Sequence, residues 1–208
     1  MSKLRDGLQL KGLPAEIPDV DRHDLPSFFK EMGYKVGVEI GVEKGKYTEE
    51  LAKVGMKIYG VDPFMSYKGF EDDEVLTKER MGRLEKVSEE RVKKYNVTLI
   101  KKLSMDAVND FKDDSIDFVY IDGNHGFRYV CEDVWEWHRK VRSGGVVSGH
   151  DYALNPFPTY SPFAIHVPYV IPVITKILRI PNWYVLGEYK QKPGEKRERF
   201  RSWFYIKP

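Results

Sequence analysis

The sequence predicts a doubly wound α/β fold on a mostly parallel sheet, and three observations carry that prediction. Residues 36–45 read Val-Gly-Val-Glu-Ile-Gly-Val-Glu-Lys-Gly, a short apolar strand ending in a glycine turn. A helix-compatible stretch then leads to a second apolar run, Ile58-Tyr59-Gly60-Val61, which ends in Asp62. Residues 116–121 are nearly all apolar, as a strand buried on both faces should be. Strand, glycine turn, helix, strand and carboxylate make the nucleotide-binding half of such a fold.

Each element follows in order. Residues 1–23 are polar, contain Pro14 and Pro18, and read as an irregular arm. Leu25 to Met32 is a short helix with Pro26 in its first turn and Gly33 as its stop. The first strand spans 36–40, the first sheet-packing helix 47–54 with Gly55 as C-cap, and the second strand 57–61. Residues 63–73 form a loop rich in Gly, Asp and aromatics. Residues 74–95 form a long charged helix that Gly82 can break. The third strand is 97–101, a short helix follows at 107–111, and the fourth strand is 116–121. Apolar positions 127, 130, 131, 134, 137 and 141 follow helical spacing, and Gly144-Gly145 ends that helix. Cys131 lies on its apolar face and reads as a core residue. Val146 to Ser148 is a short fifth strand.

Residues 151–181 hold six of the twelve prolines and five aromatics. They read as a lid or substrate-specific insertion, with a helix at 169–179. The aromatics and prolines of 156–172 suit a substrate pocket or an oligomer contact equally. Residues 183–189 and 200–206 are alternating aromatic-rich strands joined by a charged turn. The run 192–201 mixes acids with bases and reads as a solvated hairpin tip.

The composition bounds the function. At 208 residues the chain suits one α/β domain, 1–208. Its 34 basic and 32 acidic residues leave a net charge of +2, which gives no global argument for nucleic acid. The start, Met-Ser-Lys-Leu-Arg-Asp, leads into no apolar signal-peptide core. The longest apolar stretch, 163–174, is broken by His166, Pro168 and Pro172, so no membrane span is expected. The single cysteine excludes an internal disulfide and fits a cytoplasmic protein.

The spacing in the glycine turn discriminates among nucleotides. A dinucleotide fingerprint wants Gly-x-Gly-x-x-Gly so that backbone packs on a pyrophosphate. Here the pattern is Glu39-x-Gly41-x-x-x-Gly45, with Glu43 where the middle glycine should stand. A carboxylate there repels a pyrophosphate and weakens an NAD-dependent reading. Glu39 is itself better matched to a cationic ligand.

This chain resembles the class I S-adenosylmethionine-dependent methyltransferases, whose first motif is (Glu/Asp)-x-Gly-x-x-x-Gly. The resemblance covers about residues 34–152. It implies a Rossmann-like, seven-stranded, mostly parallel sheet with an antiparallel last strand, and S-adenosylmethionine as methyl donor. Glu39, Gly41 and Gly45 would hold the methionine and ribose side of the cofactor. Asp62 would take the ribose hydroxyls, with Pro63 and Phe64 beside the adenine. Ser104, Met105 and Asp106 would border the adenine, and Asp122 would reach the cofactor from the fourth strand. The partner implied is a small-molecule methyl acceptor.

Two further segments follow strand ends, Ile121-Asp122-Gly123-Asn124-His125 and Gly144-Gly145-Val146-Val147-Ser148-Gly149-His150-Asp151. In an open α/β sheet such ends line the ligand crevice. Asp122, His150 and Asp151 have the composition of a site for Mg²⁺, Mn²⁺ or Zn²⁺. The arrangement resembles the metal-dependent O-methyltransferases of the catechol type and their sugar-modifying relatives. In that group the residue three after the first acid is often the base, which here is His125. An imidazole, with its ordinary pKa near 6.5, is suited to taking a hydroxyl proton at neutral pH. Where the catechol-type enzymes carry Asp-Asn or Glu-Asp, this chain has His150-Asp151. A histidine there turns the site toward Zn²⁺ or Mn²⁺, or does not ligate at all. The bland alternatives are that Asp122 caps the helix near Phe127, that His125 anchors the entry to it, and that His150 and Asp151 only organise their loop. Three functional readings follow: a metal-assisted O-methyltransferase, a metal-independent one with His125 as base, and an inactive binding module of the same fold.

Overall fold

The computed structural model describes residues 2–67, 77–153, 166–190 and 192–208. Its strands are β1 (Ala15–Ile17), β2 (Val36–Ile40), β3 (Lys57–Val61), β4 (Val97–Ile100), β5 (Ile116–Ile121), β6 (Val141–Tyr152), β7 (Tyr184–Leu186) and β8 (Arg201–Ile206). Its helices are α1 (Lys3–Gly7), α2 (Leu25–Glu31), α3 (Lys46–Lys53), α4 (Lys78–Val92), α5 (Ser104–Ala107), α6 (Phe127–Lys140) and α7 (Val167–Ile177). The strands form one sheet in the order β1-β7-β8-β6-β5-β2-β3-β4. All pairings are parallel except those of β8, which runs antiparallel between β6 and β7.

The sheet has eight strands, not the expected seven. The additional one, β1, comes from the arm that reads as irregular, and it pairs in parallel with β7. Three residues are too few to carry a two-residue period, so this strand is set by docking rather than by pattern. Leu4, Ile17 and Val20 of the arm are buried with Phe28 and Phe29 of α2. Arg201, 2% exposed, binds Glu16 of β1 and the Gly187 carbonyl. The run 192–201 is therefore not wholly a solvated tip.

Two other expectations shift. Helix α6 ends at Lys140, and Gly144-Gly145 lie inside β6 rather than ending the helix. A Cβ at Gly145 would stand 2.4 Å from the Asp117 carbonyl oxygen, so glycine lets β6 close on β5 there. Helix α4 runs unbroken through Gly82. Residues 68–73 of the expected loop, 74–76 of the expected long helix and 154–165 of the expected lid lie outside the described residues. No described helix is long and apolar enough to cross a membrane.

Apolar clusters cover both faces of the sheet. On one, Val130, Val134 and Trp137 of α6 and Val170, Ile171 and Ile174 of α7 pack on β5 and β6. On the other, Leu51 and Ala52 of α3 join the arm and α2 over Phe118, Tyr120 and Phe204. Each such side chain contributes about 1.5–3 kcal/mol of burial. The sheet thereby holds all its parallel strand ends on one edge.

One carboxylate enters the apolar face. Asp133 of α6, 5% exposed, accepts a hydrogen bond from Ser104 Oγ, which in turn accepts from Trp137 Nε1 at 2.8 Å. Burial pushes the Asp133 pKa up to about 7, against the pull of the Ser104 bond.

Two expected outcomes follow. Because the folded-state pKa of Asp133 lies above its unfolded value, its penalty is absent below about pH 4 and grows as pH rises to about 7, reaching roughly 4 kcal/mol. Asp133→Asn should flatten that limb and raise the melting temperature at pH 8, as read by calorimetry across pH 5–8. Glu16→Ala should cost about 2 kcal/mol by stranding the Arg201 guanidinium, lowering the melting temperature by roughly 5 °C.

Candidate active site

The glycine turn after β2 brings three strand ends together. Gly41 adopts φ 89°, and a Cβ there would stand 2.2 Å from the Asp122 carbonyl oxygen. Only glycine allows that approach. Gly41 N donates to Val61 O at 2.9 Å, and Asp122 N donates to Ile40 O at 2.8 Å. Gly45, at φ 68°, caps α3 from the left-handed region.

Asp62 anchors the turn. Its Oδ2 accepts from Val42 N and Glu43 N, each at 3.0 Å, and its Oδ1 accepts from Phe64 N at 2.8 Å. Burial raises its pKa, while these three amides work to lower it. The Glu39 carboxylate lies beneath the turn, 2% exposed, and accepts from Thr48 Oγ1. Burial drives its pKa well above the usual carboxylate range.

Beside the turn, the ends of β5 and β6 gather a polar cluster. His125 Nδ1 lies 3.1 Å from Asp151 Oδ2. His150 Nδ1 lies 3.5 Å from Asp151 Oδ1 and 3.7 Å from Asp122 Oδ1, while its Nε2 lies 3.6 Å from Glu198 Oε2. Asp122 Oδ2 accepts from Arg22 Nη1 at 3.3 Å, and Arg22 Nε lies 3.0 Å from Glu198 Oε1. Asp151 holds φ 61°, a strained value for a non-glycine residue.

The charges follow from these contacts. Burial works against a charged His150, but Asp151, Glu198 and Asp122 outweigh it and raise its pKa to about 10. Burial works to raise Asp151 as well, yet the His150 hydrogen bond and the two imidazoles hold it low. Asp122 is raised, chiefly by burial. The three carboxylates around His150 thus favour its protonated form.

Donor atoms of Asp122, His125 and Asp151 lie within 4.8 Å of one another, a group of the size that could hold a metal ion and one that contains His125, where the sequence pointed to His150. Two carboxylates and an imidazole suit a divalent cation. Of the residues expected to border the adenine, Ser104 and Met105 are half-buried and Asp106 is exposed. The Ser104 hydroxyl is already committed to Asp133 and Trp137. Pro63 is half-buried, and the Phe64 ring is buried with Val42, Met81 and Leu84 under α4.

Arg22 and Glu198 escape a sequence reading. One lies in the arm and the other in the charged run before β8, and no spacing links them across 176 positions. Tyr47 fixes Arg22 in place, with its hydroxyl donating to Arg22 O at 2.9 Å and its ring 5.5 Å from the guanidinium carbon.

Residues 38–152 match the family model described as a methyltransferase domain. No curated protein matches the chain. Among solved structures, the O-methyltransferase from Bacillus cereus in complex with SAH superposes with a TM-score of 0.60 at 16% identity, covering 100% of this chain and 91% of that one. An rRNA methylase from Streptococcus thermophilus gives 0.56 at 13% identity, over 88% and 93%. The O-methyltransferase TomG from Streptomyces achromogenes, in complex with SAM, gives 0.54 at 12% identity, over 89% and 79%. With the family match spanning more than half its length and the strand order and glycine turn in place, the chain belongs to the methyltransferase-domain family and is a class I S-adenosylmethionine-dependent methyltransferase.

Proposed function

We propose that the protein transfers a methyl group from S-adenosylmethionine to a hydroxyl of a small molecule, with His125 as the base and Asp151 orienting it. The observation that carries this reading is the 3.1 Å contact between His125 Nδ1 and Asp151 Oδ2, beside the glycine turn. The donor set suits this cofactor. Asp62 and Asp122 flank the turn with carboxylates, which match an ammonium and a sulfonium and oppose a pyrophosphate. When bound, the cofactor supplies an electrophilic methyl on sulfur. Gly41, Gly45 and Asp62 shape its seat, and Ser104, Met105 and Asp106 line the side assigned to adenine. His125, 37% exposed at its side chain, keeps Nε2 for the acceptor hydroxyl proton while Nδ1 is held by Asp151. The imidazolium of His150 and the guanidinium of Arg22 balance Asp122, Asp151 and Glu198. They hold the acceptor side in one charge arrangement.

A second reading rests on the ligand triad. Asp122, His125 and Asp151 would hold a divalent cation, which would polarise the acceptor hydroxyl as a Lewis acid. The two readings use His125 differently, and chelation separates them. Under the first, turnover survives a chelator. Under the second, turnover is lost on chelation, returns with Mg²⁺, Mn²⁺ or Zn²⁺, and elemental analysis finds bound metal.

S-adenosylhomocysteine release over a panel of hydroxylated acceptors provides the assay. His125→Gln should lower turnover by roughly 10²–10⁴-fold while leaving S-adenosylhomocysteine affinity nearly unchanged in calorimetry. Equal turnover in wild type and variant would reject the base. Asp62→Ala, by releasing three amides of the glycine turn, should weaken S-adenosylhomocysteine by about tenfold to a hundredfold. Absence of any heat with S-adenosylhomocysteine, against tight NAD binding, would overturn the cofactor assignment.

A further inference from the structure

Helices α6 and α7 each turn one apolar stripe outward. On α6 it runs through Phe127, Cys131 and Trp135; on α7 it runs through Tyr169, Val173 and Ile177. Both follow a four-residue step, which keeps side chains on one helix face. Phe127 is 58% exposed, Trp135 44%, Tyr169 52%, Val173 57% and Ile177 60%. The inward faces of the same helices, Val130 and Val134 against Val170 and Ile174, already fill the core, with Cys131 partly buried at its edge, so the five exposed side chains are surplus to it. They are neighbours. The helices pack side by side, and the Phe127 ring meets the His166 ring edge-on at 6.2 Å, just before α7 begins.

We propose that this two-helix face is a dimer interface, and that its occupant is the same face of a second copy of the chain. Area is the first argument. Five large apolar side chains about half exposed present roughly 500 Å² of apolar surface, most of the ~800 Å² per partner that a standard interface buries. Charge is the second. On α6 the flanking ions are already paired, Arg128 with Glu132 at 2.7 Å and Arg139 with Glu136 at 2.9 Å. The rim of α7 differs, with Lys176 exposed and no acid on the helix. A copy of the same face suits this pattern, because a two-fold axis can set the acids Glu132 and Glu136 of α6 in one copy against Lys176 of α7 in the other. Composition is the third, since Phe, Trp and Tyr are enriched at interface cores. Two parallel helices from each copy would build a four-helix layer. Its upper end lies two residues from His125, whose carbonyl accepts from His166 N at 3.0 Å.

Light scattering and sedimentation of the full chain test this. The wild type should show twice the 24.3 kDa chain mass at about 10–100 µM. Val173→Glu combined with Ile177→Glu should give a monomer, with dimer affinity weakened at least about 100-fold. Circular dichroism reports whether that variant folds; if it does not, Tyr169→Lys replaces it. Val87→Glu, a 44% exposed site on α4, should remain dimeric. Cys131 gives an independent readout: maleimide labelling should slow with rising protein concentration in the wild type and not in the charged variant. A wild type that stays monomeric to about 100 µM would overturn the proposal and leave the face to some other partner. A charged variant that dimerises as well as wild type would place the interface elsewhere and overturn it too.

Discussion

The crevice depends on how closely the backbone after β2 lies on the backbone after β5. At Gly41 the two chains meet with no room for a methyl group. That contact is continuous with the register of the sheet, Ile40 opposite Ile121 and Val61. Gly41 N bonds to β3, and Asp122 N bonds back to β2. Three strand ends are therefore tied by main-chain hydrogen bonds before any side chain acts. Asp62 then closes the turn by collecting three amides. A site built this way takes its precision from the sheet core, where Val38, Ile40, Val61, Val119 and Ile121 are buried together.

Electrostatics divide the site into two halves. Beneath the turn, Glu39 sits in a desolvated pocket with one hydroxyl for company, which favours its neutral form. Beyond β5 and β6, five charged groups alternate in sign within contact distance: Arg22, Asp122, His150, Asp151 and Glu198. The alternation lets buried charges remain ionised, since each finds an opposite neighbour. His125 stands at the exposed margin of this group, with Asp151 on one ring nitrogen.

Much of this was legible in the sequence. The glycine turn, Asp62, Asp122 and His125 sit at strand ends fixed by local apolar runs, and period and punctuation find such runs. The antiparallel strand between β6 and β7 was legible through the family resemblance. Other features needed tertiary structure. β1 is three residues of arm held by Glu16 and the β7 backbone, and neither is visible locally. The contact of His150 with Glu198 was hidden too, because Glu198 is drawn from a run that reads as solvated. Ser104 follows a strand as expected, yet its hydroxyl is taken up by Asp133 from a helix further along the chain.

The placement of β8 has a consequence for how the molecule is made. β8 is the last strand in the chain, but it lies inside the sheet, between β6 and β7. As the chain emerges from the ribosome, β2, β3, β4 and β5 can pair and close the glycine turn on Asp122 early. The gap between β6 and β7 must wait for residues 201–206. Glu198 enters with them, and only then do His150 and Arg22 gain their shared carboxylate. The glycine turn thus draws only on residues made early, while the charged cluster at the ends of β5 and β6 waits for Glu198.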